Sequence, residues 1–215
     1  MMTKVDLKKT LDRYRARRGD FRVVEIPETT YLMIDGHGDP NTSAQYTQSL
    51  EALYPLAYAL KFASARELGR DYVVPPLEGL WWADDMASFT TARDKSRWNW
   101  TLMLMVPEWI PQEIIDAARA KVAAKKEPPA RLGDVRVEAL TEGLCVQTLH
   151  IGSFDDEAPV LARMHDEFIP DAGLRMSGTH HEIYLSDVRR VAPEKLRTLL
   201  RQPVVRVGSA DHASS

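Results

Sequence analysis

One order of elements occurs twice in this chain of 215 residues, and it constrains the fold more than any single motif. From Tyr31 the pattern runs strand, helix, strand, strand. From Cys145 it runs strand, helix, strand, with a closing strand after a short helix. The strands are read from β-branched and aromatic runs closed by glycine or proline, such as TYLMIDGHG (30–38) and LCVQTLHIG (144–152). A βαββ unit covers one apolar sheet face with its helix, so two units can join and leave a second face that converges on a groove. The fold class this predicts is α+β: duplicated βαββ units forming an antiparallel sheet, with helices on one face and a central ligand cleft on the other.

Around that core the chain divides into an N-terminal helical extension (1–20), two units at about 21–127 and 134–207, and a disordered tail (208–215). Sparse apolar positions, Val5, Leu7, Leu11 and Tyr14, give residues 4–18 a marginal helix. FRVVEIP (21–27) is a further strand. Asn41, Thr42 or Ser43 can cap a helix carrying Tyr46, Leu50, Leu53, Ala57 and Leu60, in which Pro55 predicts a kink or two abutting helices. Ile110 to Lys126 is a helix with the stripe Ile114, Ile115, Ala118, Val122, and EPPARLG (127–133) is the best linker. Glu142-Gly143 reads as a hairpin turn between DVRVEAL and LCVQTLHIG. Asp155 should cap a helix with the stripe Val160, Leu161, Met164, Phe168. APEKLRTLLRQ reads as a short helix and PVVRVG as the last strand.

Composition removes several classes of function. Lys and Arg number 28 against 31 Asp and Glu, a formal charge of −3, which leaves no electrostatic footprint for direct nucleic-acid binding. The single cysteine, Cys145, lies in an apolar run, excludes an internal disulfide and fits a reducing, cytoplasmic setting. No secretory h-region and no membrane-length apolar run occurs, so no membrane partner is expected. The oligomeric state is left open.

The chemistry concentrates in HHEIYLSD (180–187). Side chains alternate along a strand, so Glu182 and Tyr184 point one way and Ile183 and Leu185 the other. If Ile183 and Leu185 face a packed core, the acid and the phenol line whatever lies across the sheet, and an ionised glutamate kept from water needs a partner. All five tryptophans fall between Trp81 and Trp109. Trp81, Trp82, Trp98 and Trp100 crowd two neighbouring strands, where indoles either fill core or stack on a planar, often cationic guest. Trp98 and Trp100 share a face, whereas Trp81 and Trp82 must oppose one another. Glu78, Leu80 and Trp82 share parity, which favours Trp82 over Trp81 for the ligand face. Tyr46 and His165 complete the candidate ligand-binding set with Glu78 and the four tryptophans, although His165 lies near a helical core stripe where packing alone would place it. His180 and His181 are adjacent on a strand, face opposite ways and cannot easily chelate one ion, so no metal site is expected.

These residues carry a resemblance. LEGLWWAD (77–84), RWNWTLMLMVP (97–107), HHEIYLSDVRRVAPEKLRTLLRQPV (180–204) and LYPLAYALKF (53–62), with the repeat order, resemble the GyrI-like small-molecule-binding proteins in their stand-alone branch. The resemblance implies a cleft for flat, often cationic or aromatic compounds, with a strand glutamate that maps onto Glu182 and a neighbouring aromatic onto Tyr184. Some stand-alone members look like hydrolases that open the cyclopropane ring of DNA-alkylating natural products, a detoxification needing no metal or organic cofactor. In that role Glu182 would activate a water and Tyr184 would hydrogen-bond the carbonyl whose charge grows on ring opening. A non-catalytic drug-sequestering protein and an inhibitor of a protein partner such as gyrase are the alternatives. Members that regulate transcription carry a preceding helix-turn-helix domain, and residues 1–20 are too short to be one.

Overall fold

A computed structural model describes residues 4–85 and 94–208. Most of the polar stretch Asp84–Arg97 and the tail from residue 209 lie outside them. The chain is α+β with antiparallel strand pairing, and it forms two compact units, Met1–Tyr14 with Glu28–Thr141 and Arg15–Pro27 with Glu142–Ser215.

The first unit contains β2 (Thr29–His37), α2 (Ala44–Glu67), β3 (Leu77–Trp82), β4 (Asn99–Met105), α3 (Gln112–Ala123) and β5 (Arg136–Leu140). Its strands run β3-β4-β2-β5, all antiparallel, with Glu78 opposite Met103 and Met103 opposite Met33. Helix α2 is capped by Ser43, whose hydroxyl accepts the Tyr46 amide, and buries Leu53, Leu56 and Leu60. It continues through Pro55 as one element rather than two, because this apolar stripe holds both sides of the missing amide against the sheet. Helix α3 buries the predicted stripe Ile114, Ile115, Ala118 and Val122. The expected leading helix shrinks to α1 (Leu7–Thr10) and a 3₁₀ turn at Asp12–Tyr14. Its few apolar side chains pack individually: Leu7 joins Tyr31, Met33, Met103 and Met105, and Val5 bridges to Tyr72.

The second unit holds β1 (Arg22–Ile26), β6 (Gly143–Ile151), α4 (Ala158–Ala162), a π-helical turn (Arg163–Phe168), α5 (Ile169–Asp171), β7 (Leu174–Met176), β8 (His180–Tyr184) and β9 (Arg197–Arg206). The order is β1-β6-β9-β8, with β7 pairing the far end of β9. Three expectations change here. Strand β5 pairs with β2, while β6 pairs with β1 and β9, so Glu142-Gly143 is a crossing between units rather than a hairpin. The segment expected to be a helix from Ala192 keeps only a 3₁₀ turn at Pro193–Lys195; from Arg197 the alternation of Thr198, Leu200 and Gln202 with Leu199 and Arg201 makes one strand buried on both faces. Pro203 is tolerated because it falls between the stretch paired with β8 and that paired with β7. Finally, the helix after Phe154 lacks an Asp155 cap and widens into the π turn before Pro170, which has no amide to offer the Asp166 carbonyl. Its side chain Met164, with Ile169 and Leu174, packs on Val146, Leu200 and Val204.

Candidate functional site

Strand β8 builds the site. Glu182 and Tyr184 lie two apart on one face, and the Tyr184 hydroxyl donates to Glu182 Oε2 at 2.8 Å. His180 shares that face, with Nε2 3.6 Å from Glu182 Oε1, a separation longer than a hydrogen bond. The His180 and Glu182 side chains are 14% and 15% exposed. The ring of Phe154 meets Tyr184 edge-on at 5.5 Å and is 36% exposed, so it presents an open aromatic surface beside the acid.

The face carrying them is not the one anticipated. Glu182 is the register partner of Leu200, which packs against Met164, so Glu182 and Tyr184 lie on the side that the helical segment covers. The π turn projects His165 toward His180, with ring centroids 6.3 Å apart and nearly perpendicular. Burial first, then the neighbouring His180, lowers the pKa of His165 to about 4, so it is neutral at neutral pH.

On this face polar atoms outnumber the bonds they make. His165 Nε2, both ring nitrogens of His180 and the hydroxyls of Thr148 and Thr198 are buried without a hydrogen-bond partner among the described residues. Thr198 stands opposite Tyr184, and Thr148 stands opposite Leu200, the partner of Glu182. Buried polar atoms are nearly always bonded to protein, water or ligand, so this group on the face of Glu182 has capacity for water or a polar molecule.

The opposite face of β8 is closed. Gln147, Arg201 and His181 form one cross-strand row, and Glu142 reaches into it. Its Oε1 is 2.9 Å from His181 Nδ1, and its Oε2 accepts from Arg201 Nη1 at 2.9 Å, while Arg201 Nε donates to Gln147. Burial raises the pKa of Glu142, but His181 and Arg201 outweigh it and bring it down to about 2. Ile183, expected in packed core, is wholly buried beside this row.

The remaining sequence candidates belong to the first unit. Glu78 is wholly buried, and both its oxygens accept from phenols, Tyr14 at 2.7 Å and Tyr31 at 3.3 Å. Trp100 is wholly buried: Tyr46 of α2 meets it edge-on at 5.2 Å, its indole N–H donates to the Gly38 carbonyl, and its ring fills the space over Gly36. For Trp100 and Tyr46 the structure therefore shows helix-to-sheet packing. Trp81 is buried with Trp98 edge-on at 5.9 Å, whereas Trp82, of opposite parity, is 36% exposed. Of the nine candidates the fold brings Glu182, Tyr184 and His165 together in one unit and groups Glu78, Tyr46 and the four tryptophans in the other. Phe154, His180, Thr148 and Thr198 were not singled out for the site. Only the strand parity of His180 with Glu182 carried a signal. Among the described residues no group of three or more His, Cys, Asp or Glu side chains is placed to hold a metal ion, and no helix is long and apolar enough to cross a membrane.

A strand acid and phenol facing unbonded polar atoms, on an antiparallel α+β unit, define a small-molecule-binding module. The GyrI-like small molecule binding domain matches residues 19–205, and the chain belongs to that family. Among solved structures it is similar to an uncharacterized conserved protein from Listeria innocua, at 37% identity and TM-score 0.84, covering 94% of this chain and all of that one. It is also similar to a hydrolase from Listeria innocua, at 36% identity and TM-score 0.80, with the same coverage. The C-terminal domain of EcmrR, 12% identical, covers 87% of this chain and 98% of its own and shares the fold alone, at TM-score 0.53. No curated protein matches the chain.

Proposed function

We propose that the protein takes up a small planar molecule, aromatic or cationic, at Glu182 and Tyr184 and hydrolyses the cyclopropane ring of DNA-alkylating compounds, a detoxifying reaction in the cytoplasm. The support is a strand carboxylate with one oxygen held by a phenol and the other beside an unbonded imidazole, next to an open aromatic face at Phe154. Family membership and the likeness to a Listeria hydrolase point the same way.

The reaction adds one water. Glu182 Oε1 takes a proton as the water oxygen bonds to the strained ring carbon. The ring C–C bond breaks, its electron pair passes into the conjugated carbonyl, and the proton finally returns to that system. Tyr184 first donates to Glu182 Oε2, which holds the carboxylate in orientation, and can turn its hydroxyl to the carbonyl oxygen as charge develops there. The same bond favours a second reading: a phenol committed to the carboxylate suits a counter-ion for a cation, bound and released unchanged.

Incubation with a spirocyclopropyl dienone, followed by mass spectrometry for a gain of one water, separates the two. Turnover should fall about 10²- to 10⁴-fold in Glu182→Gln while the ligand still binds. Binding without any gain of water in the wild-type protein would leave only the sequestering role.

A further inference from the structure

We propose that His180 is the second hydrogen-bond partner of the attacking water, holding it against Glu182 Oε1 so that its lone pair faces the substrate. This rests on the hydrolytic reading. His180 Nε2 and Glu182 Oε1 stand 3.6 Å apart, too far to bond directly and close enough for one water to bond both. Neither ring nitrogen of His180 has another partner among the described residues, so the imidazole is unbonded on both sides.

A water carries two hydrogens and two lone pairs. With one hydrogen on Glu182 Oε1 and the other on a ring nitrogen of His180, both lone pairs point away from the protein. Glu182 removes its proton as the oxygen–carbon bond forms; His180 keeps its hydrogen bond throughout and gains or loses no proton. The charged and titratable groups of the site agree with this. His165, facing His180 from the π turn, is held neutral by burial, so it adds no positive charge that would draw Glu182 into an ion pair. Thr148 and Thr198, wholly buried and likewise unpartnered among the described residues, extend the unbonded polar row along β6 and β9. The opposite face of β8 is taken by the Glu142, His181 and Arg201 network, so the two adjacent histidines have separate duties.

The test uses the full chain, a spirocyclopropyl dienone as substrate and ethidium as a binding probe. His180→Phe should lower kcat about tenfold to a hundredfold with KM and the ethidium Kd within about twofold, since misplacing one reactant is enough for such a loss. His180→Asn should recover part of it. With methanol present, the ratio of methyl ether to hydrated product should rise in His180→Phe, because a looser water competes less well; a merely structural role would not move that ratio. A high-resolution crystal structure of the wild-type protein should show an ordered water bonded to both His180 and Glu182. An unchanged kcat in folded His180→Phe, or a direct bond between the imidazole and the carboxylate, overturns the proposal. Absence of turnover in the wild-type protein would instead reject the hydrolytic reading itself, and it is told apart because it needs no variant.

Discussion

Each unit places a glutamate on a strand and gives it a tyrosine hydroxyl, but only one of the two leaves hydrogen-bonding capacity unspent around it. Glu78 of the first unit receives two phenols from distant points of the chain, Tyr14 and Tyr31, and is wholly buried. Burial, then the charge of Glu78, raises the pKa of Tyr14 well above the ordinary phenol range, so it remains a donor at any relevant pH. Glu182 of the second unit takes its phenol from two residues along its own strand and sits among imidazoles and hydroxyls without partners among the described residues. The first acid receives hydroxyls from two other chain segments. The second is satisfied only in part, so the same pair of residue types serves packing in one unit and, under the proposed function, a guest in the other.

A third acid breaks the comparison most severely if it is wrong. Glu142, with a side chain 3% exposed, is nearly as buried as Glu78 but is paired with His181 and Arg201 instead of phenols. Removing one partner of such a pair strands the other charge, so Glu142→Gln should destabilise the protein by about 3–5 kcal/mol in denaturant unfolding. The pH dependence has a definite sign. The folded pKa of about 2 lies below the ordinary value of 4.5, so the stabilisation is fully present above pH 4.5 and is lost as pH falls from there through 2. The loss amounts to about 3 kcal/mol at 1.36 kcal/mol per pH unit. Glu142→Gln should lack that slope, and a variant that keeps it would place the acid sensitivity elsewhere.

Tyr14→Phe comes next in size. It leaves Glu78 with one phenol fewer in a site closed to solvent, at a cost of about 1–3 kcal/mol. Ethidium binding and dienone turnover should not change. A variant as stable as wild type but weaker in binding would reverse the roles assigned to the two acids.

How far the sequence reached follows from what kind of interaction each feature rests on. Strands bounded by glycine and proline, a cap among Asn41, Thr42 and Ser43, the α3 stripe and the opposed faces of Trp81 and Trp82 depend on neighbours within a few residues, and they stand where alternation or helical spacing puts them. The parity of Glu182 with Tyr184 is of the same local kind. Which face of β8 is covered is not local: it depends on Leu200 meeting Met164 across the fold. The network of Glu142 with His181 and Arg201 joins residues 39 and 59 positions apart, and no periodicity announces it. Tyr14 looked like one of a few apolar positions on a weak helix, and its hydroxyl matters only because Glu78 is there to accept it. The π turn that aims His165 likewise depends on Pro170 acting backward on a segment whose composition reads as plain helix.

Trp82→Ala probes the smallest effect and the assumption that the two units differ in kind. The indole is more than a third exposed on a strand end, and it shares parity with Glu78. Truncating a side chain this exposed should change stability by no more than about 0.5 kcal/mol. With the guest held at Glu182, Tyr184 and Phe154, the ethidium Kd should also stay within about twofold, read by fluorescence titration. A tenfold loss would instead mean that the first unit supplies a stacking surface, as the tryptophan-rich strands led one to expect. Pairing Trp82→Ala with Phe154→Ala decides which aromatic the ligand uses, because an open ring that stacks on a cation contributes roughly 0.5 to 1 kcal/mol and an idle one contributes nothing measurable.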